Sequence, residues 1–454
     1  MQPAGEQQVS KTLRDEWTWS EASAPLPKAV DVAIIGGGVV GCSAAYFLAK
    51  RGVSVLLCEK GRLAGEQSGR NWGWVRQQGR SPIELPLMIE SLRIWQGWLR
   101  DLGEDLGFTQ GGCLYLADNQ QDFESLARWL PTGREHGLDT RLLSGRELSA
   151  VLKGEVARWA GALYTASDGR AEPSRAVPGI ARAAVRAGAR IVSSCAVRGI
   201  ERAAGRVHAV VTEHGVVAAP IVVCAAGAWT SLFCGSLDIT VPQMRVKGTV
   251  ARTAPAPEVL KGEAWSHSVA IRRRADGGYT VAHGSALHHS LVPATLRFAT
   301  KFWPAFRQEH GAIRLRLGRE FMEALTMPRH WALDRESPFE RERVLDPTPD
   351  ARVLAEMRAS LDRCFPELGG APFVETWGGM IESSPDILPI LSPVAELAGF
   401  FVATGFSGHG FGIGPGAGQS VADMVTGRAS AAPLAPFRLS RFFDGSPIRP
   451  GPTI

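Results

Sequence analysis

The beginning of the chain alternates between short apolar runs and one stretch with helical spacing. Residues 30–35 form an apolar, β-branched run, which is typical of a strand buried on both faces. Small and apolar residues continue at helical spacing over 39–50, and Arg51 and Gly52 end that pattern. A second buried strand is predicted over 53–58. The pattern therefore predicts a βαβ unit of about 30 residues at the start of the folded region.

The rest of the chain continues the mixture of helices and strands. We expect helices over 84–106, 120–153 (in pieces) and 174–188, strands over 108–116, 191–194, 197–201, 207–212, 221–226 and 400–403, and a glycine-rich stretch over 405–418 that runs into a helix ending near Thr426. Residues 240–345 mix strand-like stretches with an arginine-rich helical part, which predicts a second domain. The tail after residue 429 is rich in proline and arginine, and we expect it to wrap the surface.

Composition narrows the class of protein. Of the 454 residues, 45% are hydrophobic and 21% are charged, so a disordered or collagen-like chain is excluded. The formal net charge is only +5, and the lysines and arginines are spread along the chain. We therefore expect a soluble globular protein with no nucleic-acid partner.

Cysteine usage and the chain start bear on the compartment. The seven cysteines form neither a C-x-x-C pair nor a zinc-binding pattern with histidine, so we expect buried thiols and no metal site. Residues 1–28 are polar and lack the apolar core of a secretory signal. No apolar run is long enough to cross a membrane. These features predict a cytoplasmic protein without an integral membrane segment.

A nucleotide-binding motif lies between the first predicted strand and helix. Gly36, Gly38 and Gly41 stand in G-x-G-x-x-G, where the glycines allow a tight turn, close approach of a pyrophosphate and close packing of helix on strand. Glu59 follows the second strand, where a carboxylate can accept hydrogen bonds from both ribose hydroxyls. An acidic residue at this place disfavours a 2′-phosphate, so the nucleotide is NAD or FAD.

Three further segments favour FAD. They are E-x-S-G-R-N-W-G at 66–73, W-G-G at 377–379 before S-P-D-I-L-P-I, and G-F-S-G-H-G-F-G at 405–412. With these motifs in this order, the chain resembles the D-amino-acid oxidase superfamily of FAD enzymes, and within it the glycine oxidase and sarcosine oxidase branch. The resemblance covers about residues 31–426.

The resemblance implies a fold and a set of cofactor contacts. The implied fold class is α/β, with a Rossmann-like FAD-binding domain of the glutathione-reductase type and an α+β, antiparallel-sheet substrate domain. The implied boundaries are 1–28 for a polar extension, 29–107, 160–240 and 374–430 for the FAD-binding domain, 108–159 and 241–373 for the substrate domain, and 431–454 for the tail. The residues expected to contact FAD are Gly36, Gly38, Val39, Val40, Gly41, Glu59, Lys60, Ser68, Asn71, Trp72, Gly73, Val197, Ala226, Gly227, Trp229, Gly378, Gly405, Gly408, His409, Gly410, Phe411 and Gly412.

The resemblance also implies the reaction, which is oxidation of a C–N bond. The substrate amine transfers a hydride equivalent to flavin N5, and the imine that forms is hydrolysed by water. The expected substrate is a small carboxylate-bearing secondary amine, such as sarcosine, another N-substituted glycine or iminodiacetate. The electrons pass to O2, giving H2O2, or to another acceptor.

Departures from the family affect the substrate and flavin attachment. Ile381 stands where glycine-oxidase-like members carry a carboxylate-binding arginine, and Gly412 stands where monomeric sarcosine oxidases carry a lysine. No cysteine occupies the position that attaches flavin in sarcosine oxidases, so we predict non-covalent FAD. Arg76, with Arg80 nearby, is then the expected carboxylate ligand.

Other residues complete the expected pocket. We expect Trp74 and Trp377, together with Trp72, to wall the pocket, and His409 to touch flavin or substrate. The three arginines at 272–274 are interpreted as a solvated edge strand, with one inward-facing arginine as the alternative. His283, His288 and His289 are interpreted as surface or loop residues without a function.

Other functions stay open at this level. One is a D-amino-acid dehydrogenase that passes electrons to a quinone. Another is a flavoprotein domain that removes N-alkyl groups from tRNA or protein, and a third is an FAD-binding subunit of a larger amine dehydrogenase. The sequence also leaves open whether the chain forms a homo-oligomer.

Overall fold

The computed structural model describes residues 25–309, 311 and 313–451. Residues 1–24 of the predicted polar extension therefore lie outside the described part of the chain. In chain order the helices are α1 Val39–Ala49, α2 Gln67–Arg70, α3 Leu85–Leu102, α4 Gln120–Ala127, α5 Leu130–Glu135, α6 Gly145–Ser149, α7 Pro173–Arg186, α8 Thr230–Gly235, α9 Pro293–Arg297, α10 Ala299–Glu309, α11 Arg319–Thr326, α12 Pro338–Arg341, α13 Ala351–Cys364 and α14 Gly410–Val425.

The strands are more numerous and shorter than the helices. In chain order they are β1 Val32–Ile35, β2 Val55–Cys58, β3 Trp74–Val75, β4 Thr109–Gln110, β5 Cys113–Ala117, β6 Thr140–Leu143, β7 Gly161–Thr165, β8 Gly169–Arg170, β9 Arg190–Val192, β10 Val197–Ala203, β11 Arg206–Thr212, β12 Gly215–Ala218, β13 Ile221–Cys224, β14 Met244–Thr253, β15 Glu263–Trp265, β16 Ala270–Arg273, β17 Tyr279–Ala282, β18 Leu287–Ser290, β19 Ile313–Arg316, β20 Phe373–Ser383, β21 Ile390–Pro393 and β22 Phe400–Thr404.

A six-stranded sheet contains the predicted βαβ unit. Its order is β21-β22-β13-β1-β2-β9, and neighbouring strands are parallel except for β21 and β22. Every residue of β1 and β2 is buried, as expected for parallel strands covered on both faces. Helix α1 packs between α14 and α7, and α14 also packs on α3. This confirms the α/β class and brings the carboxyl ends of β1, β2 and β13 to one edge.

A ten-stranded, mostly antiparallel sheet forms the second layer of the molecule. Its order is β19-β18-β14-β17-β16-β15-β5-β7-β6, and β20 also pairs with β14. The pairs β15–β5 and β18–β19 are parallel, so the sheet is mixed. Strands β7 and β20 belong to this sheet, although the predicted boundaries assign residues 160–240 and 374–430 to the FAD-binding domain. The W-G-G segment therefore belongs to the second sheet and not to the six-stranded one.

Side chains of α3 and α14 join at a buried tryptophan. The Trp95 indole N–H donates to the carbonyl of Gly412 at 2.9 Å, and the Ser91 hydroxyl donates to the same carbonyl at 2.6 Å. Trp95 is 1% exposed, so the apolar face of α3 holds the helix that follows the glycine-rich loop. The sequence predicted both helices, but not this contact.

Two interpretations of charged strand residues are wrong. The strand with the three arginines is β16, which lies between β15 and β17 rather than at an edge, and Arg272 is 1% exposed. The Arg272 guanidinium donates to the Glu172 carboxylate at 2.8 and 3.2 Å, and this ion pair offsets the cost of burying the positive charge of Arg272. His288 and His289 are also buried, in β18, a strand that lies between β14 and β19 rather than at the surface.

The tail is tied to the segment after β20. The Arg441 guanidinium donates to both oxygens of the Asp386 carboxylate, at 2.7 and 3.0 Å, and Gly451 N–H donates to the Asp386 backbone carbonyl at 3.0 Å.

Within the described part of the chain, no helix combines the length and the apolar character that a membrane span requires.

Candidate functional site

A large cavity opens where the six-stranded sheet faces β14 and β20. It has a volume of about 480 Å³. Its walls come from the turn between β1 and α1, the segment around α2, the carboxyl end of β13, strands β14 and β20, and the loop before α14. The cavity thus lies at the carboxyl edge of a parallel sheet, the usual ligand position in α/β folds.

The turn at the start of α1 admits only glycine at two positions. Gly36 has φ +108°, and a Cβ there would lie 2.4 Å from the Ala225 carbonyl oxygen. A Cβ on Gly41 would lie 2.0 Å from the Gly36 carbonyl oxygen. The chain therefore turns sharply, and the residues at the α1 N-terminus line the cavity, where the positive end of the helix dipole favours an anion.

Glu59 closes this turn from the end of β2. Its Oε2 accepts from Gly37 N–H at 2.7 Å, and its Oε1 accepts from Gly61 N–H at 2.8 Å. Burial raises the pKa of Glu59, although both N–H groups and Lys60 act in the opposite direction. The carboxylate is held in place beside the cavity, where its remaining acceptor capacity would suit the hydroxyls of a ribose.

The segment around α2 covers the N-terminus of α1. The Ser68 hydroxyl accepts from Val39 N–H at 3.0 Å. The Asn71 side chain donates to the Ser68 carbonyl at 2.8 Å and accepts from Gly73 N–H at 2.7 Å. Together with the glycine turn and Glu59, this arrangement forms a cradle that fits the pyrophosphate and ribose of FAD. These residues would hold the cofactor's adenosine half.

Two arginines lie at another part of the cavity wall. The Arg76 guanidinium lies 5.9 Å from the Trp74 ring and 5.4 Å from the Tyr115 ring, and it donates to the Gln78 carbonyl. Arg80 donates from Nε to the Arg76 carbonyl at 3.3 Å. Burial, and then the neighbouring Arg76, lower the pKa of Arg80 to about 10, so Arg80 stays charged at neutral pH.

Glu84 and His409 support Arg80. Glu84 lies 3.8 Å from Arg80 Nη1 and 3.1 Å from His409 Nδ1. Burial lowers the pKa of His409, and Arg80 acts in the same direction. Despite burial, the pKa of Glu84 is lowered by His409 and Arg80. These directions of the two pKa shifts fit a neutral His409 imidazole that donates a hydrogen bond to an ionised Glu84. The hydrogen bond fixes the His409 side chain at the start of α14.

A third part of the wall is apolar. It is built by side chains of β18, α10, β19 and the segment between β18 and α9, and these are Leu287, Leu291, Phe302, Trp303, Phe306 and Leu315. Such a surface favours an apolar group of a ligand over a charged one. Sequence reasoning missed this wall because its residues come from helices and strands that local patterns place only coarsely.

Most of the residues expected at the site line the cavity. These are Gly36, Gly38, Val39, Val40, Glu59, Lys60, Ser68, Asn71, Trp72, Trp74, Arg76, Val197, Ala226, Gly227, Trp229, Gly408, His409, Gly410 and Phe411, and Arg80 joins them. Outside the lining lie Gly41, Gly73, Gly378, Gly405, Gly412 and Trp377.

Trp377 does not wall the cavity as expected. Its indole N–H donates to the Arg70 carbonyl at 2.9 Å, and the side chain is 8% exposed. Trp377 thus packs against the segment around α2, and its neighbour Gly379 lines the cavity instead. Gly412 lies against Trp74 and Val75 backbone and shapes a helix contact.

Glu382 in β20 is a lining residue that sequence reasoning missed. It is 3% exposed and follows Ile381, the residue at the position where glycine-oxidase-like members carry a carboxylate-binding arginine. The available signal was a carboxyl directly after the apolar residues Met380 and Ile381 that follow W-G-G, since buried carboxyls are rare.

Comparison with known proteins agrees with the cradle. The family model described as FAD dependent oxidoreductase matches residues 31–424. Among curated proteins, mouse sarcosine dehydrogenase (Mus musculus) is 27% identical over 92% of this chain, and Geobacillus kaustophilus glycine oxidase is 27% identical over 90% of this chain and 97% of its own length. These matches confirm the resemblance inferred from the motifs.

A solved structure is similar over nearly the whole chain. The L-amino acid deaminase of Proteus myxofaciens, solved with anthranilate, gives a TM-score of 0.90 at 32% identity and covers 93% of this chain and 96% of its own. This chain covers only 42% of the mouse sarcosine dehydrogenase, so that relative has a large part without a counterpart here.

Proposed function

Because the chain belongs to the family of FAD dependent oxidoreductases and uses FAD as its cofactor, we propose that it oxidises the C–N bond of a small secondary amine that carries a carboxylate. The proposed substrates are N-substituted glycines such as sarcosine and imino diacids such as iminodiacetate. Relatives named glycine oxidase and sarcosine oxidase subunit beta support this reaction class.

The observation that carries the proposal is the pair of buried arginines in the cavity wall. Arg76 and Arg80 are 4% and 3% exposed, and both line the cavity beside Trp74. A guanidinium in a buried site binds a carboxylate strongly, because both groups are shielded from water and the hydrogen bonds are charge-assisted. An amino acid held there by its carboxylate has its position and orientation fixed.

The residues would divide the work as follows. Bound FAD supplies the acceptor for the hydride equivalent that leaves the substrate carbon. Arg80 and Arg76 hold the carboxylate, Glu84 and His409 hold Arg80, and Trp72 and Trp74 exclude water from the amine. Their rings lie 5.4 Å apart in an edge arrangement and favour a nearby cation weakly, so the pocket would admit a protonated amine, which has to lose this proton to water before the hydride equivalent leaves.

We further propose that FAD is held without a covalent bond. Of the seven cysteines only Cys58 lines the cavity, and its thiol hydrogen-bonds Cys195, which with burial raises its pKa well above the ordinary value. Such a thiol is a poor nucleophile. Acid precipitation should leave the yellow colour in the supernatant; colour that stays with the precipitate contradicts the proposal.

The proposed final acceptor is O2, with formation of H2O2, and the proposed location is the cytoplasm. All seven cysteines are free, in agreement with a reducing compartment. A dehydrogenase that passes electrons to a quinone would show the same reductive chemistry but slow recovery in air.

A second candidate substrate is an amino acid with a bulky apolar side chain. The apolar wall of the cavity favours it, and the similarity to the Proteus myxofaciens L-amino acid deaminase supports it. The carboxylate would bind to the same two arginines, while the side chain would lie against Phe302 and Phe306.

Anaerobic reduction separates these candidates. Sarcosine, iminodiacetate, glycine, D-alanine, D-proline, L-phenylalanine and the carboxylate-free N-methylbutylamine would each be added without oxygen, and the visible absorption of the holoenzyme followed. We expect bleaching by sarcosine or iminodiacetate and recovery when air is admitted. Bleaching by L-phenylalanine alone would favour the second candidate, and no bleaching by any of them would overturn the proposal.

A further inference from the structure

We propose that Glu382 is a cofactor-binding residue whose protonated carboxyl donates a hydrogen bond from Oε2 to bound FAD, so that FAD binding is coupled to a proton on this side chain. The inference depends on the family assignment and not on the proposed substrate. It concerns a residue that the motif analysis did not select.

The first argument is geometric. Glu382 lines the cavity, and its Oε1 accepts from Phe406 N–H at 3.4 Å. Its Oε2 is buried and has no hydrogen-bond partner among the described residues. A buried polar atom without a partner costs about 1–3 kcal/mol, so such atoms in folded proteins usually have a partner in the functional state. FAD bound in this cavity can supply one.

Arg245 is the arginine that lies across from Glu382 in the sheet, but its hydrogen bonds go elsewhere. Arg245 stands directly opposite Glu382 in the β14–β20 register. Its guanidinium, however, donates from Nε and Nη2 to the Ala228 carbonyl at 2.9 and 2.6 Å and lies 5.0 Å from the Trp229 ring. Arg245 therefore does not form an ion pair with Glu382, and the carboxyl lacks the partner that would keep it ionised.

The other elements around Glu382 contribute little positive charge. Glu66, which precedes α2, carries the same negative charge as an ionised Glu382. Glu66 forms an ion pair with Lys60 at 3.0 Å. Within α2, the Gln67 side-chain oxygen accepts from the Glu382 N–H at 3.3 Å. The loop before α14 contributes the N–H of Phe406, while the neighbouring Ser383 and Ser407 are neutral. Glu342 faces Arg245 and Glu66 from the end of α12, outside the cavity lining.

These surroundings determine the protonation state. Burial raises the pKa of Glu382 to about 7, and the negative charge of Glu66 adds to this, against the hydrogen bonds from its own backbone, Gln67 and Phe406. Below this pH the carboxyl is neutral and can donate. Above it, the carboxylate accepts only and repels the negatively charged pyrophosphate of FAD.

The consequence is a pH-dependent affinity for FAD. If only the protonated form binds, the dissociation constant rises by a factor that approaches ten for each pH unit above the pKa. Between pH 6.5 and 8.5 the expected increase is about 25-fold, from the titration of one group near pH 7. Substitution by glutamine supplies an N–H donor at every pH and so removes the dependence.

The test measures FAD release rather than activity. Holoenzyme would be diluted at pH values from 6 to 8.5, and the fluorescence of released FAD would give the dissociation constant. The proteins are the natural chain, Glu382→Gln, Glu382→Ala and the matched control Glu342→Gln, which removes a neighbouring exposed carboxyl whose pKa is also raised.

We expect Glu382→Gln to bind FAD with a pH-independent constant close to the low-pH value of the natural chain. Glu382→Ala should bind more weakly at low pH, and Glu342→Gln should keep the natural slope. If Glu382→Gln keeps the whole slope, the proton is taken at another group, such as Glu59, and the proposal is wrong. If the natural chain shows no slope, Glu382 does not act as a donor.

Discussion

At the scale of single residues, the two arginines of the cavity differ in what they can still bind. Arg76 donates to the Gln78 carbonyl and lies against two aromatic rings, whereas Arg80 Nη1 is buried without a hydrogen-bond partner among the described residues. Arg80 therefore has an open donor, and Arg76 has a neighbourhood that already fixes it. The sequence motif alone favoured Arg76, because donor saturation is a property of the folded environment.

Replacing Arg80 should weaken substrate binding more than chemistry. Arg80→Met removes a charge-assisted hydrogen bond worth about 1.5–3 kcal/mol, so kcat/KM for a carboxylate-bearing amine should fall by roughly 10- to 150-fold, mainly through KM. Steady-state kinetics would measure this. A carboxylate-free amine serves as the control and should lose little; an equal loss for both amines contradicts a role in carboxylate binding.

At the scale of elements, the βαβ unit was predictable and the sheet order was not. Strands β1 and β2 and helix α1 lie within about two residues of the expected bounds, because burial and periodicity are written locally in the sequence. The strand expected over 108–116 is instead split into β4 and β5 at Gly112, which has φ +76°. A local pattern indicates which residues share a face, but not which strand lies alongside.

The same reason explains the two wrong interpretations. Arg272 and Arg274 are both buried and Arg273 is half-buried, so the expected alternation is present. The local sequence does not show that β15 and β17 flank this strand, or that Glu172 faces it from the residue before α7. Likewise, the sequence does not show that β18, with its two histidines, lies between β14 and β19.

The close contact between α1 and β1 predicts the effect of one methyl group. In Gly41→Ala the new Cβ would meet the Gly36 carbonyl oxygen at 2.0 Å, so α1 must move away from the turn that faces the cofactor. We expect purified Gly41→Ala to contain less than about a tenth of the natural FAD content, since the cost of such a clash is about 1–3 kcal/mol. The ratio of visible to ultraviolet absorbance would measure this.

A matched control is available in the last residue of α8. A Cβ added at Gly235 would meet no heavy atom of another part of the described chain within 4 Å, and this glycine also lies in a helix, so Gly235→Ala should keep its FAD. Natural FAD content in Gly41→Ala would show that the turn tolerates the shift and would contradict the prediction.

At the scale of the whole molecule, a buried ion pair joins the two sheets. Glu172 directly precedes α7, which packs against α1 of the six-stranded sheet, and Arg272 belongs to the ten-stranded sheet. Glu172 also accepts from Ala275 N–H at 2.8 Å. Despite burial, Arg272 lowers the pKa of Glu172 to about 2, so the carboxylate stays ionised throughout the neutral range.

Breaking this pair should destabilise the protein strongly. Glu172→Gln leaves the Arg272 charge buried without its counter-charge and should lower the free energy of unfolding by about 3–5 kcal/mol in urea denaturation. Because the folded pKa of Glu172 lies below its unfolded value, the stabilisation is present above about pH 4.5 and is lost as the pH falls towards 2.

The more exposed cluster of Glu104 with Arg182 and Arg186 provides the comparison. Glu104→Gln should cost less than about 1 kcal/mol for each ion pair that it breaks, because solvent screens both pairs and both arginines can be hydrated. Equal losses in the two variants would mean that the link between the sheets contributes no more than a surface contact.

The walls of the cavity extend from Ile35 to Phe411 in the sequence, and this has a consequence for biosynthesis. Strand β1 leaves the ribosome long before its neighbours β13 and β22, and at about 5–20 residues per second the interval to the last wall residue is roughly 20–80 s. During that time the glycine turn has no opposite wall. The complete cavity can therefore form only after translation has passed Phe411, and a growing chain has to keep the apolar strands of its first βαβ unit from aggregating until then.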